Sequence, residues 1–436
     1  MKIAMSRATS KIKGTPLSET HRVESLDVLR GFALLGILLL NIIGFGLLSP
    51  SYNNPGFDLA GSSTVNITTY ALVELWAEGA MRGLFSILFG AGVVLFATGE
   101  RGKGAWLHYK RTFWLLVFGL VNAYILLWNG DILVTYALAG ALLFLVRNLN
   151  PRALVLSAGV LFVLMSLLHA GMKVGLTEAR AASERVADAD DPGQVLEQDR
   201  QAAISWQEFI ADFELDEAEA AKEMVARNSS YRSAFAWNAG KNEEVYLLVL
   251  PLFWFWDALA MMLLGMGLYK YGVLQGERSK TFYLKVMVAG FIVGLTINGL
   301  DVRDVITSNF DIMQAFGQMQ WTYHLGRLGM CLGYIGLLLW CLKTGYLVAL
   351  KSRLAAVGRM ALTNYLLQSV ICSLIFTGAG FGLVGTLDRF ELYPLVLAIW
   401  VLQLWLSPLW LERYQFGPVE WLWRALTYGH APAMRR

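Results

Sequence analysis

The chain has 436 residues, 56% of them hydrophobic and 16% charged, with a formal net charge of +3 and a mean hydropathy of +0.49. Soluble domains carry about 25% charged residues, so the composition excludes a soluble globular protein and points to a polytopic membrane protein. So small a positive charge, with no basic run interleaved with aromatics, argues against a nucleic-acid partner.

Residues 1–27 form a mostly polar arm carrying Lys2, Arg7, Lys11, Lys13 and Arg22. The apolar run behind it is long enough to span a bilayer and has no small-residue cleavage site, so the arm reads as cytoplasmic and not as a cleaved signal. From there, apolar stretches predict ten membrane helices, near 28–48, 79–98, 112–128, 131–147, 152–171, 246–270, 281–299, 323–342, 357–376 and 391–411. The expected fold is an all-α, polytopic integral membrane bundle. Its parts are a first transmembrane half at 28–171, an extracytoplasmic segment at 172–245, a second half at 246–411 and a tail at 412–436.

Orientation follows from Lys and Arg. The N-terminal arm and every second connection after it are basic, at 101–111, 147–152, 270–285 and 343–359, whereas the intervening ones are poor in both residues. The positive-inside rule therefore places both termini in the cytoplasm. His21 and His108 fall in these basic connections. Segment 172–245 lies outside, with eight Lys/Arg against sixteen Asp/Glu. It reads as a solvated acidic cap over the outer mouth, with a surface helix at 216–227 and a turn at 190–193; a role in selecting an acceptor is the other reading.

Ionisable groups in hydrocarbon are costly, so each needs a reason. The first membrane helix, SLDVLRGFALLGILLLN (25–41), opens with Asp27 and Arg30 three residues apart on one face and ends on Asn41. Eleven residues at 1.5 Å each carry Arg30 to Asn41 across about half a bilayer. Asp27 and Arg30 either pair at the inner interface or hold an anionic ligand there, with Arg359 joining them. Asn41 caps, bonds across helices, or polarises a reacting carbonyl. Arg82, at the outer start of the second helix, lies beside Gly83, Gly90 and Gly92, which permit close packing. Asn129-Gly130-Asp131 is an outer turn in which Asp131 caps the next helix or acts as a general base. Asp257 sits mid-helix with no cation within a turn and must be neutralised by a partner or by protonation. His324 and Arg327 share a face, and His324 is the histidine best placed for proton transfer. Asn364 and Gln368, four apart, make a polar stripe into the bundle.

No phosphate loop, dinucleotide fingerprint, zinc-protease helix, nucleophile elbow or CxxC framework is present. The three cysteines, Cys331, Cys341 and Cys372, lie in apolar stretches and form no ligand pattern. No bound cofactor and no metal site are expected.

Five stretches carry a resemblance: SLDVLRGFALLGILLLNI (25–42), MRGLFSILFGAG (81–92), NGDILVTYALAG (129–140), GRMALTNYLLQS (358–369) and GPVEWLWRALTYG (417–429). With them the chain resembles the YeiB-like family, a domain of unknown function, and the matches span nearly its whole length. That family is similar, more distantly, to transmembrane acyltransferases typified by heparan-alpha-glucosaminide N-acetyltransferase, whose first helix also carries Asp-x-x-Arg-Gly and a later Asn. The matching positions here are Asp27, Arg30, Gly31 and Asn41. The resemblance implies transfer of an acyl group from cytoplasmic acyl-CoA, as co-substrate, to a small-molecule, glycan or lipid acceptor outside, in a bacterial inner (plasma) membrane. Where that enzyme has a catalytic histidine shortly after its Asn, this chain reads Tyr52-Asn53-Asn54. Either His324, Asp131 or Asp257 takes that part, or the chemistry differs. The catalytic candidates are thus Asn41, His324, Asp131 and Asp257. Candidates for binding are Asp27, Arg30, Arg82, Asn129, Arg327, Arg359, Asn364 and Gln368. The alternative functions are a transporter or exporter of a small or lipid-like solute, with Asp257 proton-coupled, and a lipid- or quinone-binding protein. Membrane lipids are expected partners, and a homodimer is compatible with the sequence.

Overall fold

The computed structural model describes residues 24–98, 104–191, 193, 195–211, 217–346 and 348–436. The basic arm before residue 24, with His21, lies outside them. Among the described residues every regular element is helical, with one isolated antiparallel bridge, Tyr414 to Arg435. Seven helices among the described residues are long and apolar enough to cross a membrane. An eighth is added if Val348–Arg359 and Ala361–Phe376, bent by 81° about Met360, count as one span. The protein is an all-α membrane bundle.

The first helix, α1 (Glu24–Gly46), is its centre. It is apolar on every face, and Leu26, Leu29, Leu34, Leu38, Ile42 and Ile43 are buried on all sides. Such a helix is stable only when neighbours surround it. Those neighbours are α3 (Ala80–Thr98), α14 (Val348–Arg359), α15 (Ala361–Phe376) and α16 (Leu392–Arg413). The peripheral helices α6 (Pro151–Ala187) and α11 (Lys280–Thr307) instead turn Val160, Val163, Leu167, Val288 and Ile292 outward, as lipid-facing helices do.

Glycine sets the crossings. A Cβ on Gly90 of α3 would lie 2.0 Å from the carbonyl oxygen of Met262, and one on Gly265 would lie 1.9 Å from that of Ile87. Helix α3 and α10 (Phe255–Lys270) therefore touch backbone to backbone. Gly290 and Gly294 do the same against Gly329 and Gly333 of α13 (Tyr323–Thr344). Gly92 has nothing within 4 Å and borders a cavity instead.

Several helices differ in extent from the apolar runs that announce them. Helix α4 is Ala105–Leu120, so it begins well before residue 112, continues through a widened π turn, Val121–Ile125, and is followed by α5 (Leu133–Val146). His108, expected in a basic connection, is instead buried in α4, its Nε2 2.9 Å from the Gly140 carbonyl and its ring stacked 4.7 Å from Phe144. The positive charges beside it, Lys110 and Arg111, belong to the first turns of a helix. A second π segment, Val245–Trp254, contains Pro251 and leads into α10. Proline cannot donate to the helical ladder, which is why the turn widens there.

Segment 172–245 folds as the upper part of α6, then α7 (Glu197–Ala211), α8 (Glu217–Asn228) and α9 (Tyr231–Glu244). Helix α8 is more than a solvated surface helix. Its Glu223 and Arg227 are buried and paired at 2.8 Å. Arg227 donates to the carbonyls of Gly44, Phe45 and Leu47 at 2.8–2.9 Å, while Glu223 accepts from the Ser49 amide and hydroxyl. The acidic segment thus supplies the C-terminal cap that α1 lacks in its own sequence.

Candidate functional site

Among the described residues α1 borders a shallow cavity at its first turn, with Glu24, Asp27 and Arg359, and two cavities farther along it, one toward the end where α1 begins and one toward the end covered by the acidic segment. We call these the basic end and the capped end.

The basic-end cavity, about 200 Å³, is built where α14 breaks from α15. Gly31 and Gly358 let α1 and α14 meet in backbone contact, which brings Arg30 beside Arg359. Arg111 of α4 and Arg424 of α17 (Pro418–Tyr428) bring to four the arginines that line it. Arg111 lies between two aromatic faces, 4.8 Å from the Phe96 centroid and 4.4 Å from Trp423, and the Trp423 indole donates to the Arg111 carbonyl. Glu420 also borders this cavity, but its carboxylate is engaged: it accepts from the amides of Leu362 and Thr363, at 2.7 and 3.0 Å, and from the Thr363 hydroxyl. It caps the start of α15, where the broken helix leaves amides without intrahelical partners. Asp27 pairs with Arg30 at 3.0 Å and lies outside this lining.

The capped-end cavity, about 290 Å³, takes Asn41 from α1, Arg82 and Ser86 from α3, Asn129 from the turn before α5, Thr135 from α5 and Asp257 from α10. The side chains of Asn41 and Asn129 make no hydrogen bond to any described residue, and the buried Thr135 hydroxyl has no partner either. Asn41 and Asn129 are half-buried and Thr135 is buried, so this wall offers the cavity neutral hydrogen-bonding groups that no described residue takes up. Leu127, just before this wall, holds a left-handed φ of 59°, a strained conformation for a side chain of its kind. The strain turns Trp128 onto Phe45, their rings stacked 4.2 Å apart.

Asp257 has the partner that its own helix does not supply. Arg327 binds it through both terminal nitrogens, one at 2.7 Å. His324 lies behind, 3.2 Å from Arg327 and 3.7 Å from Asp257, stacked on His169 at 5.4 Å between centroids. Neither His324 nor Arg327 borders either cavity. Asp131 is buried away from both as well. It accepts from Asn122 at 2.8 Å and from the Val134 amide at 2.9 Å, which is capping geometry. Asn364 and Gln368 do not bond each other. Asn364 donates to Ser407, Gln368 donates to Gln403, and Gln403 donates back to the Asn364 carbonyl, so the polar stripe fastens α15 to α16.

Of the residues singled out in the sequence, the structure therefore gathers Arg30 and Arg359 in one cavity and Asn41, Arg82, Asn129 and Asp257 in the other. Arg111, Arg424, Thr135, Ser86 and Tyr136 complete the two linings and were not singled out. A tyrosine in the middle of the apolar stretch LVTYALAG was the available signal for the last of these.

The family described as "Protein of unknown function (DUF418)" matches residues 268–430. The uncharacterized protein YeiB of Escherichia coli is 30% identical over 415 residues, covering 93% of this chain and 96% of its own length. The chain belongs to the DUF418 family. YxaH of Bacillus subtilis, also described as uncharacterized, is 28% identical over 95% of this chain and 96% of its own length. An uncharacterized 39.9 kDa protein from the amylase 3' region of Bacillus acidopullulyticus is 26% identical, again over 95% and 96%. The family match takes in α11 and α13 to α17, and so the Arg359 and Arg424 side of the basic-end cavity.

Proposed function

We propose that this protein is a bacterial inner-membrane acyltransferase that takes an acyl group from acyl-CoA at the basic end, on the cytoplasmic side, and delivers it to an acceptor at the capped end. The observation that carries the reading is the division of labour along α1: Arg30 borders a cavity lined by four arginines, while Asn41 borders a second cavity whose wall adds Asn129 and Thr135 to the charged Arg82 and Asp257. Guanidinium forks match phosphate oxygens in geometry and charge, so the first cavity suits the phosphates of a coenzyme A thioester. Carboxamide and hydroxyl donors aimed at one space suit the carbonyl oxygen that gains negative charge as an acceptor attacks. The attacking amine or hydroxyl forms the new bond to the acyl carbon, the carbon–sulfur bond breaks, and the thiolate leaves with a proton. Asp257, already bound to Arg327, is the one carboxylate among the described residues lining that cavity.

The test is purified protein with radiolabelled acetyl-CoA and a panel of amine and hydroxyl acceptors. Wild type transfers label, Arg359→Ala loses donor affinity, and Asn41→Ala retains donor binding while losing transfer. Wild-type protein that neither binds nor transfers the label removes the reading.

A transporter or exporter of a small or lipid-like solute is the second reading, favoured by two cavities on one axis. It predicts solute flux in proteoliposomes with no acylated product. The bidentate pairing of Asp257 counts against a proton-coupled form, because a proton on that carboxylate would leave the buried Arg327 guanidinium without its counter-charge.

A further inference from the structure

We infer that Tyr136 is a movable partition between the two cavities, latched shut by Ser86. The inference concerns the site proposed above and rests on that reading only for the identity of what passes.

Tyr136 is the single described residue that borders both cavities. Its two ends meet different surroundings. The ring leans on Phe85 and Phe89, 5.9 and 5.1 Å between centroids, and both phenylalanines line the basic-end cavity. The phenolic oxygen is 2.6 Å from the hydroxyl of Ser86, which lines the capped-end cavity, and it also donates to the Arg82 carbonyl at 3.2 Å. One aromatic side chain therefore forms the wall, with its apolar body turned to one space and its polar tip to the other.

Tyr136 sits one turn before Gly140, and a Cβ on that glycine would lie 3.0 Å from the Phe89 ring, so Phe89 occupies room that a larger residue would fill. Tyr136 is 1% exposed, so its swing requires Phe85 and Phe89 to shift with it, and a single χ1 rotation then breaks the ring and hydroxyl contacts together. A fixed wall would need no hydrogen bond; a leucine or phenylalanine would serve. The phenol adds a latch, and Ser86 is its keeper. Closed, the ring denies water and ions a path along α1. Swung aside, it joins the cavities and lets a reacting group or solute reach the other side.

The experiment is two-sided cysteine labelling of the full chain with Cys331, Cys341 and Cys372 replaced by alanine. Asn129→Cys reports the capped-end cavity and Thr112→Cys the basic-end cavity. Each is exposed to a charged, membrane-impermeant methanethiosulfonate in right-side-out and in inside-out vesicles. With Tyr136 present, each probe labels from one face, and the two probes label from opposite faces. With Tyr136→Ala, each labels from both faces, the newly opened face gaining at least tenfold in rate. Tyr136→Phe keeps the ring and loses the latch, so it gives a smaller gain of several-fold; it decides the matter if the alanine variant does not fold. Probes that label from both faces with Tyr136 intact, or from one face in the folded variants, overturn the inference. No donor or acceptor is needed, so loss of the transferase reading leaves this result standing. Conversely, one-faced labelling in the folded Tyr136→Ala variant, beside acetyl-CoA transfer by the wild type, removes the partition alone.

Discussion

Gly31 and Gly358 meet where α1 crosses α14, so closely that a Cβ on Gly31 would lie 2.1 Å from the Leu354 carbonyl oxygen and one on Gly358 1.9 Å from that of Asp27. Each glycine precedes or follows one of the cationic pair: Gly31 comes after Arg30, and Gly358 before Arg359. The backbone contact is thus what sets the spacing of the two guanidinium groups. Gly31→Ala or Gly358→Ala forces the helices apart, at about 1–3 kcal/mol for an overpacked contact. The expected result is a lowered Tm in detergent together with weakened coenzyme A binding. A control substitution, Gly92→Ala, which meets nothing within 4 Å inside helix α3, does not lower Tm.

The buried pair Glu223–Arg227 fastens the acidic segment to the end of α1. Arg227→Ala leaves the Glu223 carboxylate buried without its cation and three carbonyls of α1 without their donor. Breaking one partner of such a pair costs about 3–5 kcal/mol. The loss is local to the capped end. Hydrogen exchange should rise in α8 and in the last turn of α1, with α11 and α13 unchanged, and limited proteolysis should cut the acidic segment first.

Much of the bundle was legible because its signals are compositional. Apolar runs of membrane length and glycines at crossing points need no knowledge of partners. The pairing of Asp257 was not legible, since Arg327 is 70 residues away and on another helix. The burial of Glu223 and Arg227 was hidden for the opposite reason. Their stretch has the charge density of a solvated helix, and only the unsatisfied end of α1 explains why it is covered. The α15 stripe misled more subtly. Asn364 and Gln368 do share a face, but a face can be polar in order to meet α16 and not to enclose a cavity. Asp131 announced its capping geometry plainly, whereas the lining by four arginines was not announced, because Arg111 and Arg424 look like interface anchors until α4 and α17 are placed.

A second buried pair holds the loop before α2 (Thr64–Trp76). Arg389 binds Asp58 at 2.9 Å and reaches the Ser51 carbonyl, and both charged side chains are almost wholly shielded from solvent. Burial pushes the Asp58 carboxyl above its usual value, and Arg389 only partly pulls it back. The native state therefore binds this proton more tightly than the unfolded chain. The site's stability is fullest below the ordinary carboxylate range and declines as pH rises through the raised value. The expected outcome is that Asp58→Ala or Arg389→Ala alone costs about 3–5 kcal/mol. Replacing both with apolar residues of similar volume, Asp58→Leu with Arg389→Met, costs clearly less. Chemical denaturation of the three variants measures it, and equal losses in singles and double would show that the pair is more than a matched desolvation.

Asp257 offers the sharpest division between structure and chemistry, since it borders the capped-end cavity while both its oxygens are bound by Arg327. A carboxylate whose work is to hold Arg327 cannot be neutralised cheaply. Asp257→Asn leaves a deeply buried guanidinium facing an amide that offers one acceptor oxygen in place of two, and stability falls by about 3–5 kcal/mol. Asp257→Asn combined with Arg327→Gln removes both charges and restores most of that loss. If Asp257 instead cycles a proton during transport, the picture inverts: the asparagine variant mimics the protonated state, folds as well as wild type and stops flux. Thermal unfolding of the two variants beside wild type separates these outcomes without any substrate. A stable Asp257→Asn protein would shift the balance from acyl transfer toward transport.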